Sequence, residues 1–296
     1  MTSLRLGTRR SPLALAQAHH VADRLRARGL DCEIVPVETS GDRHRDVPLA
    51  SLGGQGVFAV EIQRALAAGE VDAAIHSAKD LPSATPPGLV LACVPDRRDA
   101  ADVLVGRALA GLGPGSTVAT GSPRRRALLL EHRPDLNVVE LRGNMATRLA
   151  RAGTDVDAIV AAAAALERLG EAERVAERLD PTWFVPQVGQ GAIAVEARED
   201  DGATRAALAD IDDGDAHAAL RCERAFLRTL GTGCTVPAGA HATVTEGTIT
   251  LRAVMLAIDG TRSVRDVATG TDPENLGETL ARVLADERGG RMLAGW

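Results

Sequence analysis

One unit occurs twice in this chain: a short strand, then Ser-Pro, then a helix that begins beside arginines. In the first copy, residues 3–8 predict a strand, and Ser11-Pro12 open an amphipathic helix that ends near Arg28. In the second, "STVATG" predicts a strand, and Ser122 with its proline opens the helix "SPRRRALLLEHR". Serine is a favoured N-cap, and proline is favoured at the first helical position. The repeat therefore predicts two similar units.

Strands and helices alternate around both copies. Further strands are predicted at 31–39 and 71–76 in the first unit, and in "LNVVEL" and "VDAIVAA" in the second. A helix is predicted between successive strands, which is typical of α/β domains with a largely parallel sheet. From Trp183, "WFVPQVGQGAIAVEAR" leads into a strand that could return to the first unit. The fold class is therefore α/β, with two similar lobes.

The last part of the chain has a different pattern. A helix at 216–230 is followed by alternating segments typical of antiparallel strands, with turns at Glu246-Gly247 and Asp259-Gly260, and by a helix around 275–288. This pattern predicts a smaller α+β domain. The expected domains are a first lobe, a second lobe and this C-terminal domain, at 1–96 with the return segment 190–210, at 97–189 and at 211–296.

Charge and composition exclude several classes of protein. The net charge of −6 argues against binding to nucleic acid or to an anionic membrane, and the absence of tyrosine argues against an aromatic platform for bases. The chain has no apolar run long enough to span a membrane, and "MTSLRLGTRR" lacks the apolar core of a signal peptide. We expect a cytoplasmic protein, and a monomer because no heptad or large apolar stripe is evident.

Cysteine and histidine give no sign of a metal site. The four cysteines form no CxxC pair or His/Cys metal spacing, and in a reducing compartment they are expected to be free thiols. His19 and His20 lie within a predicted helix and His76 at a strand end, with no partner arranged in sequence for catalysis. We therefore expect no metal.

Arginines concentrate beside the Ser-Pro helix starts. Arg9 and Arg10 precede Ser11, and the window 121–153 holds seven arginines against three acidic residues inside an acidic chain. Cations at a helix N-terminus oppose the helix dipole, and a bound anion would relieve that repulsion. Arginine binds carboxylates bidentately, so a ligand with several carboxylates fits. Phosphate, nucleic acid and plain solvated arginines are the alternatives, although no phosphate-binding GxxxxGK[ST] loop is present.

The segment "HSAKDLP" contains the only lysine of the chain, Lys79, followed by Asp80. Codon bias could have left this single lysine, or a compact and flexible donor could be needed there. Asp80 follows a strand end, where loops of α/β folds face the ligand crevice. A carboxylate there can stabilise a developing cation, whereas the alternative is an ordinary Asp-Leu-Pro turn.

Seven ordered motifs resemble the porphobilinogen deaminase (hydroxymethylbilane synthase) family over nearly the whole chain. They are "TRRSPLALAQ", "GGQGVFAVEI", "AIHSAKDLP", "GSPRRRALL", "LRGNMATRL", "VGQGAIAVEAR" and "GTGCTVP". The resemblance implies two lobes like those of periplasmic binding proteins, with the active site between them, and a third domain. It also implies a transferase that condenses four porphobilinogen molecules head to tail, with release of ammonia, into linear hydroxymethylbilane.

The resemblance also implies a cofactor and a set of site residues. The cofactor is a dipyrromethane held through a thioether to Cys234, and the catalytic carboxylate is Asp80. Besides these two residues, the positions that match cofactor-binding ones are Lys79, Ser122, Arg124, Arg125 and Arg148. Positions that match substrate-binding ones are Arg9, Ser11, Arg142, Arg168 and Gln190, and Gln190 is placed at the hinge between the lobes.

The chain departs from the family pattern at two places. Ser51 and Gln55 stand in the glycine-rich loop where many relatives have lysines, and Ala100-Ala101 stands where Pro-Arg is common. These neutral residues put the mode of carboxylate binding in doubt. A module that only binds a small anion, an enzyme for another carboxylated pyrrole and an inactive paralogue are the alternative functions.

Overall fold

The computed structural model describes residues 3–38, 59–231 and 237–293. The glycine-rich segment 40–56, which includes Ser51 and Gln55, and the predicted cofactor attachment point Cys234 lie outside the described residues. The described residues form two five-stranded sheets and one three-stranded sheet.

The two five-stranded sheets share one arrangement. In each, three parallel strands are followed by one antiparallel strand and then by an edge strand antiparallel to that one. The first sheet has the order β2-β1-β3-β10-β4, and consists of β1 (Leu4–Arg9), β2 (Cys32–Val37), β3 (Ala73–Ser77), β4 (Leu89–Cys93) and β10 (Ile193–Arg198). The second has the order β7-β6-β8-β5-β9, and consists of β5 (Asp102–Gly106), β6 (Thr117–Ala119), β7 (Asn137–Val139), β8 (Ala158–Ala162) and β9 (Val175–Arg178). We call these sheets, with the helices packed on them, the first and second lobes.

The chain crosses between the lobes twice. The outward crossing, residues 94–101, joins β4 to β5, and the return crossing, residues 179–192, joins β9 to β10. The crossings contact each other, since Arg98 N donates to Gly191 O at 3.2 Å and Ile193 N donates to Asp96 O at 3.0 Å. The two lobes are therefore joined by a pair of hydrogen-bonded segments.

The repeated Ser-Pro units are confirmed. Ser11 caps the helix Pro12–Arg26 by accepting from Ala14 N, and Ser122 caps the helix Pro123–His132 by accepting from Arg125 N. The first helix follows β1 and the second follows β6, and each of these strands is the middle one of the three parallel strands in its sheet. The other helices of the lobes are Val60–Ala67, Met145–Arg151, Ala163–Arg168 and Gly202–Ala209.

The sheets are less parallel than expected. Each has one strand that arrives from the other lobe, β10 in the first and β5 in the second, and that strand is antiparallel to both of its neighbours. The strands β4, β5 and β9 and the helix Gly202–Ala209 were not predicted. These segments are short and carry no Ser-Pro signal. The pairing of the three strands depends on where the crossings bring the chain, so local sequence does not reveal it.

The C-terminal unit is an antiparallel sheet covered by helices, as predicted. Its strands are β11 (Ala238–Thr245), β12 (Thr248–Leu256) and β13 (Ser263–Gly270). Its helices are Gly214–Leu230, Pro273–Arg282 and Gly290–Leu293, with a π-helical turn at Val283–Glu287. At the first hairpin, Glu246 and Gly247 have φ of 50° and 75°, so both central residues of the predicted turn adopt the left-handed conformation.

This unit has a core of its own and also contacts the second lobe. Met255 packs with Phe226 and Leu280 inside the unit. On the other face of the sheet, Val254 and Leu256 join the core of the second lobe. The domain boundaries stay a prediction. No helix in the described parts of the chain is long and apolar enough to cross a membrane.

Candidate active site

Buried apolar side chains fix the turn that carries Lys79 and Asp80. β3 runs directly into a single 3₁₀ turn, Ala78–Asp80, and Pro82 follows, which favours extended backbone at Leu81. Ala78 and Leu81 are buried in one apolar cluster, whereas Lys79 and Asp80 are only partly buried. Two buried apolar side chains thus hold the turn while its two charged side chains stay accessible.

The return crossing lies against the backbone of this turn. A Cβ atom at Gly189 would lie 2.8 Å from the carbonyl carbon of Ala78 and 2.9 Å from Lys79 N, and Gly189 has φ of +74°. Gln187 Nε2 donates to Lys79 O at 3.2 Å. Glycine is required at 189 by both the close approach and the positive φ. The turn is therefore positioned by the segment that joins the lobes.

Charges from both lobes meet at the turn. Burial and the neighbouring Arg125 guanidinium lower the pKa of Lys79 to about 8, with Arg148 acting in the same direction and Asp80 and Asp102 against it. Burial and Arg125 also lower the pKa of Arg148, and Asp80 opposes them. Lys79 and Asp80 lie in the turn that follows the first lobe's β3, whereas Arg125 and Arg148 lie on helices of the second lobe. We call these four residues the charged cluster.

The helix Pro123–His132, which we call the arginine helix, is held by a buried carboxylate. Asp102 is fully buried, and its Oδ2 accepts from Arg124 Nη2 at 2.7 Å while its Oδ1 accepts from Arg125 Nε at 2.9 Å. Gln190 Nε2 also donates to Asp102 Oδ1 at 2.9 Å. The alternative of three solvated arginines is therefore wrong for Arg124 and Arg125, and only Arg126 is exposed. Sequence reasoning missed Asp102 because it opens a strand, β5, that was not predicted.

Asp102→Asn is expected to lower the free energy of unfolding by about 3–5 kcal/mol, because it leaves two buried guanidinium groups without a carboxylate. Burial alone would raise the pKa of Asp102, but Arg124 and Arg125 outweigh it and lower the pKa to about 2. A depressed folded-state pKa means that this stabilisation is present above about pH 4 and is lost as the pH falls towards 2. Urea unfolding at pH 7 and pH 3 measures both effects. An equal loss at the two pH values would contradict the ionic role.

The other predicted cofactor-binding residues differ in the hydrogen bonds that they make. Ser122 is occupied as the helix N-cap, and Arg148 Nε donates to Gly143 O at 2.8 Å. Arg124 Nη1 donates to Val185 O at 2.6 Å, and Arg124 Nε is buried without a hydrogen-bond partner among the described residues.

The predicted substrate-binding residues lie at separate places. Arg9 ends β1 beside the cap Ser11, and Arg142 is exposed next to Glu140, its Nη2 2.9 Å from Glu140 Oε1. Arg168 ends the helix Ala163–Arg168 and donates through Nη2 to Asp96 Oδ2 and Gly191 O, both at 2.8 Å. The structure thus brings Arg168 to the crossings, while Arg142 stays at the surface of the second lobe.

Gln190 lies in the return crossing, as expected of a hinge position. Its side chain is fully buried, and besides Asp102 it donates to Ala100 O at 2.7 Å. Ala100 and Ala101, the second departure from the family pattern, are buried in the outward crossing. The Gln190 side chain therefore connects the two crossings to the arginine helix.

A narrow cleft between the lobes contains part of this site. Lys79 lines it from the first lobe and Arg168 from the second, with Gly189 and Gly191 of the return crossing between them. Gln17 and Ser77, which sequence reasoning missed, also line the cleft, and Ser77 Oγ donates to Gln17 Oε1 at 2.9 Å. The other lining residues are Leu13, Ala162, Ala164, Ala165 and Ala192.

Gly231 precedes residues 232–236, and Gly239 follows them. Before them, the helix Gly214–Leu230 ends at Gly231, which has a left-handed C-cap conformation. After them, Gly239 packs against the return crossing, where an added Cβ would lie 2.7 Å from Val185 O and 3.2 Å from Arg124 Cδ. The start of β11 therefore contacts the arginine helix.

The residues present fit a ligand with several carboxylates. The charge of Arg125 lowers the pKa of both Lys79 and Arg148, so negative charge bound between the three side chains would be stabilised. The unpartnered Arg124 Nε adds a donor. The described ranges contain no group of three His, Cys, Asp or Glu side chains placed to hold a metal ion.

Comparison with known proteins decides the family. Residues 4–206 match the model "Porphobilinogen deaminase, dipyromethane cofactor binding domain", and residues 218–286 match "Porphobilinogen deaminase, C-terminal domain". The chain belongs to the porphobilinogen deaminase family. The porphobilinogen deaminase of Syntrophotalea carbinolica is 46% identical over 99% of this chain and 96% of its own length. That of Acidothermus cellulolyticus is 47% identical over 96% of this chain and 89% of its own length.

Membership of the porphobilinogen deaminase family confirms the resemblance. The chain is an enzyme that polymerises porphobilinogen head to tail into hydroxymethylbilane, in tetrapyrrole biosynthesis, with a dipyrromethane as cofactor. A module that only binds an anion is thereby excluded. Among solved structures, the methionine binding protein MetQ aligns with 73% of this chain and 92% of its own at 15% identity and a TM-score of 0.45.

Proposed function

We propose that Asp80 is the catalytic carboxylate and that the charged cluster holds the carboxylates of the cofactor. The observation that carries this is the meeting of Lys79 and Asp80 from one lobe with Arg125 and Arg148 from the other. Ser122 and Arg124 complete the cofactor-binding set, and Cys234 forms the thioether. Gly239, five residues after Cys234, contacts the return crossing and Arg124, which supports an attachment point near the cluster.

Asp80 would act on the pyrrole nitrogen of porphobilinogen. Loss of ammonia leaves positive charge on the pyrrole ring, and a fixed carboxylate that accepts the ring N–H lowers the energy of that charge, most strongly where water is excluded. The same carboxyl group could pass a proton to the departing amine. When bound, the dipyrromethane supplies the free α-carbon to which the incoming pyrrole unit is joined.

The positive side chains would divide between cofactor and substrate. Arg125 is fixed by Asp102 and Arg148 by Gly143 O, so both present their charge with little freedom to move. Arg9, Ser11, Arg142 and Arg168 are assigned to the substrate carboxylates. Arg168 lines the cleft beside Lys79, which supports its assignment. Gln190 is fully buried, so we assign it to holding the crossings at the hinge and not to direct contact.

Arg148→Gln tests the cofactor set. We expect the fraction of purified protein that carries the dipyrromethane to fall several-fold, because one cation of the cluster is lost while the helix is kept. Intact-protein mass spectrometry measures that fraction. Arg151→Gln is the matched control, since Arg151 ends the same helix and is paired with Asp155 at 3.3 Å on the surface. Equal cofactor occupancy in the two variants would remove Arg148 from the set.

Three further assignments stay predictions from the sequence. They are the domain boundaries, a monomeric state and a cytoplasmic location. Size-exclusion chromatography with light scattering measures the second directly.

A further inference from the structure

The first lobe contains a buried carboxylate that the reaction described above does not use. Glu196 lies in β10, and its side chain is 1% exposed. Gln63 Nε2 donates to both of its oxygens, at 3.1 and 2.9 Å. His76 Nε2 lies 3.2 Å from Oε2, and the His76 side chain is 4% exposed. This is a fully enclosed polar network beneath the sheet surface.

The network lies along β3, the strand that leads into the turn with Asp80. In the antiparallel pair β3–β10, His76 is opposite Ala194 and Glu196 is opposite Ala74, so the two side chains lie on one face as diagonal neighbours. His76 is the last residue but one of β3, three residues before Lys79. Glu196 thus lies within ion-pair distance of His76, the last side chain on this face of β3 before the turn.

A second connection reaches the other side of the turn. The charges of Glu196 and Arg224 interact. Arg224 donates through Nη1 to Pro82 O at 2.9 Å and through Nη2 to Thr85 Oγ1 at 3.1 Å. Glu196 therefore interacts with one side chain before residues 78–80, His76, and with a second, Arg224, that is hydrogen-bonded to the chain after them.

Glu196 is ionised in this environment. Burial raises the pKa of Glu196, but His76 and Gln63 outweigh burial, so the net pKa lies below the ordinary value. Burying a carboxylate costs several kcal/mol, which an apolar side chain of similar size would not. A charge kept at that cost, with partners on β3, on the helix Val60–Ala67 and on the helix Gly214–Leu230, restricts how these elements can shift.

We propose that Glu196 is a positioning residue for Asp80, acting through His76 on one side of the catalytic turn and Arg224 on the other. This rests on the proposed role of Asp80. Glu196 touches neither substrate nor cofactor, so its loss should impair the chemical step more than binding. A displacement of about 1 Å at reacting groups can cost up to about 100-fold in rate.

Glu196→Gln, purified with its cofactor, is the test. We expect kcat per cofactor-loaded molecule to fall about 10- to 100-fold, with KM for porphobilinogen within about two-fold of the parent. Asp72→Asn is the matched control. Asp72 precedes the opposite end of β3 and pairs with Arg5 at 2.7 Å. The Asp72→Asn substitution removes a carboxylate of the same lobe at the end of β3 that is far from Asp80. The kcat of this variant should therefore stay within about two-fold of the parent value.

The outcomes are distinct. Unchanged kcat in Glu196→Gln, or an equal fall in Asp72→Asn, overturns the proposal, as does a change confined to KM. Should Glu196→Gln fail to fold, Gln63→Met removes two of the hydrogen bonds with little change in volume, and kcat should still fall at constant KM. Asp80→Ala is measured alongside. Normal turnover in Asp80→Ala refutes the role of Asp80. Lost turnover in Asp80→Ala together with normal turnover in Glu196→Gln refutes only the positioning role of Glu196.

Discussion

Asp80→Ala should reduce the turnover of cofactor-loaded enzyme by at least about 100-fold, the scale on which removal of one transition-state electrostatic partner acts. Asp80 interacts electrostatically with Lys79 and Arg148, so in the proposed role its carboxylate would be the negative group beside the bound pyrroles. Ammonia release from porphobilinogen, and uroporphyrin I formed after spontaneous closure of the product, measure the rate.

Asp80→Glu provides the control. The Asp80→Glu substitution keeps the negative charge but moves the carboxylate outward by the length of one methylene group. Its turnover should therefore fall less than that of Asp80→Ala. Intact mass must show the same cofactor load in both variants, because an unloaded enzyme would be inactive for another reason. An alanine variant with normal turnover, or a glutamate variant no better than alanine, would contradict the catalytic role.

Cys234→Ser is expected to yield a protein without covalent dipyrromethane and without turnover. The parent should be heavier than its sequence by the mass of the cofactor, and digestion should place that mass on the peptide with Cys234. A thiolate is the nucleophile in thioether formation, and serine cannot replace it at neutral pH. An unmodified parent with full activity would refute the covalent mechanism.

The other thiols serve as controls for this experiment. Burial raises the pKa of Cys222 to about 12, and Cys222 is fully enclosed in the core of the C-terminal unit. Burial also raises the pKa of Cys93 well above its ordinary value. Cys222→Ala should therefore keep its cofactor and its turnover, and loss of the cofactor mass in that variant would point to a different attachment site.

Local sequence predicted the elements well where it carries its own signal. The Ser-Pro starts fixed both lobe helices, since an N-cap oxygen and a proline ring act within one turn of the chain. The hairpin turns at Glu246-Gly247 and Asp259-Gly260 were predicted for the same reason. The return of the chain to the first lobe through β10 was predicted, but the outward crossing was not, because β5 pairs with strands distant in sequence and nothing local determines which neighbours it meets.

The candidate site divides in the same way. Lys79, Asp80 and the arginine helix were identified from residue type and place, with the family resemblance supplying their roles. Asp102, Gln17 and Ser77 were missed, since a carboxylate that opens an unpredicted strand has no signature of its own. The sequence also left open whether Arg124 and Arg125 are solvated, which depends on Asp102 lying within hydrogen-bond distance.

The sequence by itself determined the family, the two-lobed α/β class and the residues able to do the chemistry, because motifs and helix caps act over a few residues. Only the tertiary structure decided which charges share a space. Lys79 stands 46 positions before Arg125 in the chain, yet their charges interact, and Glu196 lies 3.2 Å from His76, a residue 120 positions before it. Such proximity follows from sheet order and burial, and buried charge then has to be paired.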